Sequence, residues 1–305
     1  MEQWKVGDIV VTKIPEVAGW FPIDLWLSIM PECTLEAVDQ LQWLSPTYRR
    51  GNEINLSIHA LLVETPTHKI VVDTGIGNAK KRNWDLFDQL DTDFLERLDE
   101  ACPRKEVDMV ICTHMHNDHV GWNTQLLDGQ WVPTHPDARY CFVREEYDYW
   151  AKYVTDPATV AAYSESAQFA LDGHEVYRDS IAPIVDAGLV DWVQSDGEVA
   201  PGVTLFSTPG HTPGHVSIML ESGNDRAVIS GDVFHFQSQV GRTDWSVELD
   251  MAPAQASDTR RTFLDRFADS STLVLGTHFG TPTGNYIQRD GDSFKLVPVE
   301  TGPSA

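Results

Sequence analysis
Apolar and polar residues alternate along Trp4–Ile14 and again along Asn55–Glu64, the period-2 pattern of half-buried strands. The period changes in Asp85–Glu100. There Leu86, Phe87, Leu90, Phe94, Leu95 and Leu98 recur every three or four positions, which predicts a helix with one apolar face. From about Arg144 to Asp172 the chain reads as mostly helical, with Tyr147, Trp150, Tyr153, Tyr163 and Phe169. Ala256–Ala268 is a further predicted helix followed by a strand, and Tyr286–Val299 reads as a hairpin around Asp290-Gly291.

Five short β-rich runs each stop at a residue able to bind a cation. KIVVDTG ends at Asp73, DMVICTHMHNDH leads into His114, VTLFSTPGH into His211, AVISGD into Asp232, and TLVLGTH into His278. Strands lying side by side would bring all five clusters to one edge, where loops on a rigid scaffold aim side chains into a single cleft.

Composition bounds the rest. The chain has 305 residues, 42% hydrophobic and 10% aromatic, enough for a packed core and against disorder. No repeat, low-complexity tract or long linker interrupts it, so residues 1–305 are expected to form one domain. The 22 Lys and Arg against 46 Asp and Glu give a net charge of −24. Such a surface repels phosphate backbones and anionic membranes, and argues against nucleic-acid and membrane partners. No apolar run approaches the roughly 20 residues of a membrane span. The start carries no basic-then-apolar signal segment, and Cys33, Cys102, Cys112 and Cys141 lack C-x-x-C spacing. These features together predict reduced cysteines and a cytoplasmic location.

The densest chemistry is His114-Met115-His116-Asn117-Asp118-His119, three imidazoles and a carboxylate in six residues. In a turning loop, His114 and His116 can meet one ion while Asp118 and His119 turn to another. His211 and His278 would complete the two sites, with Asp232 between them. Imidazole and carboxylate donors without thiolate suit Zn, with Fe or Mn as alternatives. A solvated His-rich turn is the bland alternative, but it does not account for three more donors at separate strand ends.

This arrangement resembles the metallo-β-lactamase superfamily, which carries H-x-H-x-D-H followed by separate His, Asp and His ligands. The resemblance covers roughly residues 55–290 and retains every ligand position. It implies an α+β architecture, an αβ/βα four-layer sandwich of two mixed sheets flanked by helices. It also implies two divalent metal ions at one edge of the sheets. The first would take His114, His116 and His211; the second Asp118, His119 and His278; Asp232 would be shared. Asp73 in VVDTG matches the family's first motif. It either orients a ligand imidazole or loop, or serves as a strand-end turn residue. His215 is expected to be a buried structural partner, because His211 already fills the coordination sphere. His235 either faces substrate or is a satisfied loop residue. His59, His68, His135 and His174 have no supporting constellation.

The superfamily hosts many hydrolases, so fold alone does not select a substrate. Acidity argues against a nuclease, and the absence of a basic C-terminal patch against a glutathione thioesterase. The missing export signal weighs against a secreted β-lactamase. The local text, including THMHNDHVGWNT, SGDVFHFQSQ and VLGTHF, is similar to a bacterial branch of stand-alone enzymes. That branch includes quorum-quenching lactonases, methyl-parathion-type hydrolases and chlorothalonil-type dehalogenases.

The expected substrate is small and neutral or apolar. The expected reaction is hydroxide attack on a lactone or ester carbonyl, with Asp118 and Asp232 as the catalytic carboxylates. Organophosphate triester hydrolysis and hydrolytic dehalogenation remain alternatives on the same site, as does a metal-binding relative without catalysis. Trp20, Phe21, Trp26, Trp122, Trp150 and His235 are the candidate pocket residues. An N-terminal aromatic segment (about 15–50) and a helical insertion (about 140–190) are the candidate covers of the site. A homodimer is the base-rate expectation for such a hydrolase.

Overall fold
The computed structural model describes residues 1–299. Two mixed sheets carry the chain. The first runs, in spatial order, Gln3–Val6, Ile9–Pro22, Glu53–Glu64, Lys69–Val72, Met109–Ile111, Arg139–Val143 and Val190–Val193, with the short Arg49–Arg50 paired to Glu53–Glu64. The second runs Gly197–Ala200, Val203–Ser207, Val216–Ser222, Asp225–Ile229, Leu273–Leu275, Gly284–Asp290 and Ser293–Pro298.

The central strands are buried on both faces, which is why IVV, AVI and LVL read as continuous apolar runs. Leu61, Val63, Ile70 and Val72 face Ile218, Leu220, Ala227 and Ile229 in a core between the sheets. The alternate residues Ala60, Leu62 and Val71 turn outward beneath helices Phe94–Ala101 and Arg144–Tyr153, contributing to a second core with Phe94, Leu98, Trp150 and Tyr153. On the far side, Val228, Val274 and Leu296 join Phe263, Leu264 and Phe267 of helix Pro253–Phe267. The result is an α+β sandwich of four layers. Each fully buried aliphatic or aromatic side chain in these cores contributes about 1.5–3 kcal/mol.

Strand direction then positions the site. Lys69–Val72 and Met109–Ile111 are parallel, as are Asp225–Ile229 and Leu273–Leu275. Val203–Ser207, two antiparallel steps from Asp225–Ile229, shares its direction. All five runs therefore end at the same edge, followed by Asp73, His114, His211, Asp232 and His278.

Three local expectations need correction. The Trp4–Ile14 alternation is a hairpin, with Gln3–Val6 paired to Ile9–Pro22 across Gly7-Asp8, not one strand. The helix expected over Asp85–Glu100 forms only at Phe94–Ala101. Upstream, Gln89 has φ 49° and the Asp88 carboxylate accepts the Arg82 amide, so the segment folds back on itself. Its Leu86 and Phe87 line a cavity instead of covering a sheet. The final hairpin turns one residue later than expected, at Gly291-Asp292, because Asp290 pairs with Ser293. The insertion is helical at Arg144–Tyr153, Pro157–Val160, Glu165–Leu171, Gly173–Val176 and Ala182–Asp186, with the π-helical turn Tyr177–Ile181 joining the last two.

Candidate metal centre
Seven side chains converge at the sheet edge. Donor atoms of His114, His116, His211 and Asp232 form one group close enough to share an ion, and those of Asp118, His119 and His278 form a second. Asp232 lies between the two. Its Oδ2 is 3.7 Å from His114 Nε2 and 3.5 Å from His211 Nε2, while its Oδ1 is 3.3 Å from His119 Nε2 and 3.2 Å from His278 Nε2. His119 and His278 each approach Asp118 to 3.6 Å. Every imidazole of the seven is at most 6% exposed.

The outer edges of these rings are anchored, which fixes where their lone pairs point. Asp73 Oδ2 is 2.8 Å from His119 Nδ1, and Asp73 also accepts the Thr113 amide and hydroxyl. The Thr113 hydroxyl donates to Asp73, so its oxygen is free to accept His114 Nδ1–H at 3.2 Å. His211 Nδ1 lies 2.9 Å from Asp250 Oδ1. With each Nδ1 hydrogen used outward, the Nε2 atoms of His114, His119 and His211 turn bare lone pairs inward. His116 instead brings Nδ1 to 2.9 Å from His211 Nε2.

The Nε2 atoms of His114, His116 and His119 are buried without a hydrogen-bond partner. Buried unpaired polar atoms each cost on the order of 1–3 kcal/mol, so convergent orphan nitrogens beside a carboxylate fit a divalent cation. Burial pushes the His114 and His116 imidazoles well below their usual range, which keeps them neutral. Burial would raise Asp232, but the surrounding His119, His278, His235 and His114 hold it well below the usual carboxylate range. An ionised Asp232 beside neutral His114 and His116 suits a cation.

His215 stands apart from the donor groups. Its Nε2 accepts the Asp232 backbone N–H at 2.8 Å, so Nδ1 carries the hydrogen and donates to the Thr208 carbonyl at 3.0 Å. Burial drives its pKa down to about 3, consistent with this neutral tautomer. His215 thus holds the Asp232 backbone.

A cavity opens onto the donor cluster. Its polar floor is Ser57, His116, Asn117, Asp118, Asp232, His235 and His278. Its walls are Val17, Phe21, Leu25, Trp26, Ile29, Leu56, Ile58, Trp84, Leu86, Phe87, Ala170, Leu171 and Leu249, with no Lys or Arg among the lining residues. Of the six expected pocket residues, Phe21, Trp26 and His235 line it.

The other three do not. Trp20 lies beneath the Arg50 guanidinium at 4.1 Å. Trp122 stacks on Phe94 and donates its indole N–H to Glu16. Trp150 meets the edge of the His116 ring and donates to Glu146. Aromatic side chains are large enough to be needed in cores as much as in clefts, and density along the chain does not distinguish the two. Sequence reasoning also missed Trp84, and Leu86 and Phe87, whose periodicity had suggested a helix. Asp250 and Glu146 were missed as well, since neither falls in a donor motif. Glu146 accepts the amides of Met115 and Gly214 and so ties the two histidine-bearing loops together.

The family model of the metallo-beta-lactamase superfamily matches residues 55–278. An N-acyl homoserine lactonase of Bacillus cereus is 26% identical over 199 residues, 61% of this chain and 67% of that protein. A probable metallo-hydrolase, YflN, of Bacillus subtilis strain 168 is 28% identical over 131 residues, 40% of this chain and 43% of that protein. Among solved structures, the hydrolase AbOPH of the beta lactamase superfamily superposes with a TM-score of 0.78 at 23% identity, covering 98% of this chain and 97% of that one. AidC, a dizinc quorum-quenching lactonase, gives a TM-score of 0.78 at 20% identity over the same shares. At this identity the structural likeness establishes the fold.

Proposed function
The chain belongs to the metallo-beta-lactamase superfamily, and on that premise we propose that this metal-dependent hydrolase acts on small, neutral lactones or esters bearing an apolar group. The observation that carries the reading is the cavity, whose floor is the donor cluster and whose walls are apolar and free of Lys and Arg. A substrate carboxylate or phosphate lying against those walls, away from the donor cluster, would be desolvated without a Lys or Arg partner, at a cost of several kcal/mol. Lactonase relatives at low identity support the same substrate class.

His114, His116 and His211 would hold one divalent ion, and Asp118, His119 and His278 a second, with Asp232 reaching both. Zinc suits this donor set, with iron or manganese as alternatives. Ions so held would supply an activated water and a Lewis-acid contact for the carbonyl oxygen.

The remaining roles fall to the chain. Asp118, less buried than the other six and lining the cavity, is placed to take a proton at a carboxylate oxygen and return it to the leaving oxygen. His235 lines the cavity with Nε2 3.1 Å from Asp232 Oδ2 and Nδ1 without a hydrogen-bond partner, and through Nδ1 it can meet a substrate oxygen. Phe21 and Trp26 exclude water around the scissile bond, and Trp84, Leu86 and Phe87 form the wall against which the substrate's apolar group would lie. The N-terminal segment, through Phe21 and Trp26, and the insertion, through Ala170 and Leu171, would cover the site.

The test is a parallel screen of acyl-homoserine lactones, aryl esters, paraoxon-like triesters and chlorothalonil on wild type and His116→Ala. Turnover of lactones or esters, abolished in the variant while the protein stays folded, is the expected result. Turnover confined to the triesters or the aryl chloride would overturn the substrate class, and wild-type rates in His116→Ala would overturn the donor set.

A further inference from the structure
Strand Ile9–Pro22 pairs regularly with Glu53–Glu64 except at one place. Pro15 faces His59 and Val17 faces Ile58, so Glu16 is an extra residue in a β-bulge. Bulges re-aim side chains. Here the bulge sends a carboxylate inward, only 7% exposed, with no cation in salt-bridge range among the described residues.

Its partners are hydrogen-bond donors instead. Glu16 accepts the amides of Ile76 at 2.5 Å and Gly77 at 3.1 Å, the Trp122 indole N–H at 2.7 Å, and the Thr92 hydroxyl at 3.4 Å. Gly75 and Gly77 have φ of 62° and 89°, a conformation that turns successive N–H groups toward one anion. A Cβ on Gly75 would lie 2.3 Å from the Glu16 carboxylate oxygen. The backbone nest is thus filled by the chain's own carboxylate.

The contacts sit at both feet of one loop. Ile76 and Gly77 start it, Thr92 ends it, and Asn78 and Thr92 bond across its base through Asn78 Oδ1 to the Thr92 amide at 2.8 Å. Between them, Trp84, Leu86 and Phe87 form a wall of the cavity. Such a loop has compact ends and a functional tip.

We propose that Glu16 is a positioning residue that sets the shape of the substrate cavity by pinning the loop 76–92, and thereby its aromatic wall. The kinetic half of this inference rests on the hydrolase reading above; the structural half does not.

The test compares wild type, Glu16→Gln and Trp84→Ala as metal-loaded proteins. Amide hydrogen exchange in residues 76–92 should rise about tenfold in Glu16→Gln, the factor for about one net hydrogen bond, with metal content unchanged. KM for a long-chain acyl lactone should rise about fivefold or more in both variants with kcat nearly constant, while only Glu16→Gln loosens the loop. KM for a short-chain lactone should stay near wild type. Unchanged exchange in Glu16→Gln would overturn the proposal. So would a fall in kcat and metal content at constant KM, which would mean that Glu16 acts through Trp122 on the histidine loop. Glu16→Asp serves the same comparison if the Gln variant is not recovered. If wild type hydrolyses no lactone or ester, the hydrolase reading fails and the exchange result alone decides the role of Glu16.

Discussion

His211 turns Nδ1 onto Asp250 Oδ1 at 2.9 Å, and the other oxygen of the same carboxylate receives the Arg260 guanidinium at 2.9 Å. Arg260 is itself buried and donates to the carbonyls of Val233, Thr243 and Trp245. Burial would raise Asp250, but His211 and Arg260 hold it at about 2, so it is ionised across the working pH range. The carboxylate therefore fixes the His211 tautomer and raises the basicity of the nitrogen facing the donor cluster.

Asp250→Ala should weaken metal binding about 10- to 100-fold, read by competition with a chelator. It should also cost about 3 kcal/mol of stability, because Arg260 keeps its buried charge and loses its carboxylate. Asp250→Asn retains an acceptor oxygen and should lie between Ala and wild type on both measures.

Chelation should leave the seven-residue cluster as neighbouring unpaired lone pairs and a buried carboxylate. The expected result is loss of hydrolysis and a lower melting temperature, both restored by added Zn, with about two equivalents bound at saturation by titration calorimetry. A melting temperature indifferent to the chelator would contradict the fit.

His135 gives a pH prediction away from the donor cluster. Burial lowers its pKa to about 4, and its Nδ1 donates to the Arg104 carbonyl at 3.1 Å. Between about pH 6.5 and 4 the unfolded chain binds a proton here that the folded chain does not, so stability falls as pH drops through that window. The contribution amounts to about 3 kcal/mol. His135→Asn keeps a donor near Nδ1 but does not titrate. Its denaturant midpoint should fall less steeply than that of wild type from pH 6.5 to 4.

Gly121 packs backbone on backbone. A Cβ there would stand 1.9 Å from the Ile76 carbonyl oxygen, and the Gly121 amide donates to the Gly75 carbonyl at 2.7 Å. Neither side can swing away as a flexible side chain would. Gly121→Ala should cost at least about 3 kcal/mol, measured by thermal or chemical unfolding. Because Gly121 follows the histidine loop and contacts the base of loop 76–92, surviving protein should also show altered KM.

Much of the donor cluster is legible in the sequence because its chemistry is local. HMHNDH places four donors within six residues, and the other three each follow a short apolar run whose strand character is evident from its composition. The four-layer core is legible for a related reason. Runs such as IVV and LVL can only be buried on both faces, which requires sheets covered by helices.

The cavity wall is different. Phe21, Trp26, Trp84, Leu86, Phe87 and Leu249 come from separate parts of the chain, and only packing selects them from the other aromatics. Trp122, just past the histidine motif, and Trp150, on the helix of the insertion, are equally aromatic, yet their indoles serve the buried carboxylates Glu16 and Glu146. The 3.6-residue period of Asp85–Glu100 fails over its first half because the loop is folded back by the amides of Ile76, Arg82 and Thr92 on Glu16, Asp88 and Asn78, which leaves Leu86 and Phe87 lining the cavity.

The sequence by itself determined the donor types, their order and the sheets that carry them, since these follow from covalent proximity and local periodicity. Tertiary structure alone decided which carboxylates orient the imidazoles and which aromatics bound the cavity. Those choices depend on side chains tens to hundreds of positions apart meeting within hydrogen-bond distance, and no local pattern encodes such a meeting.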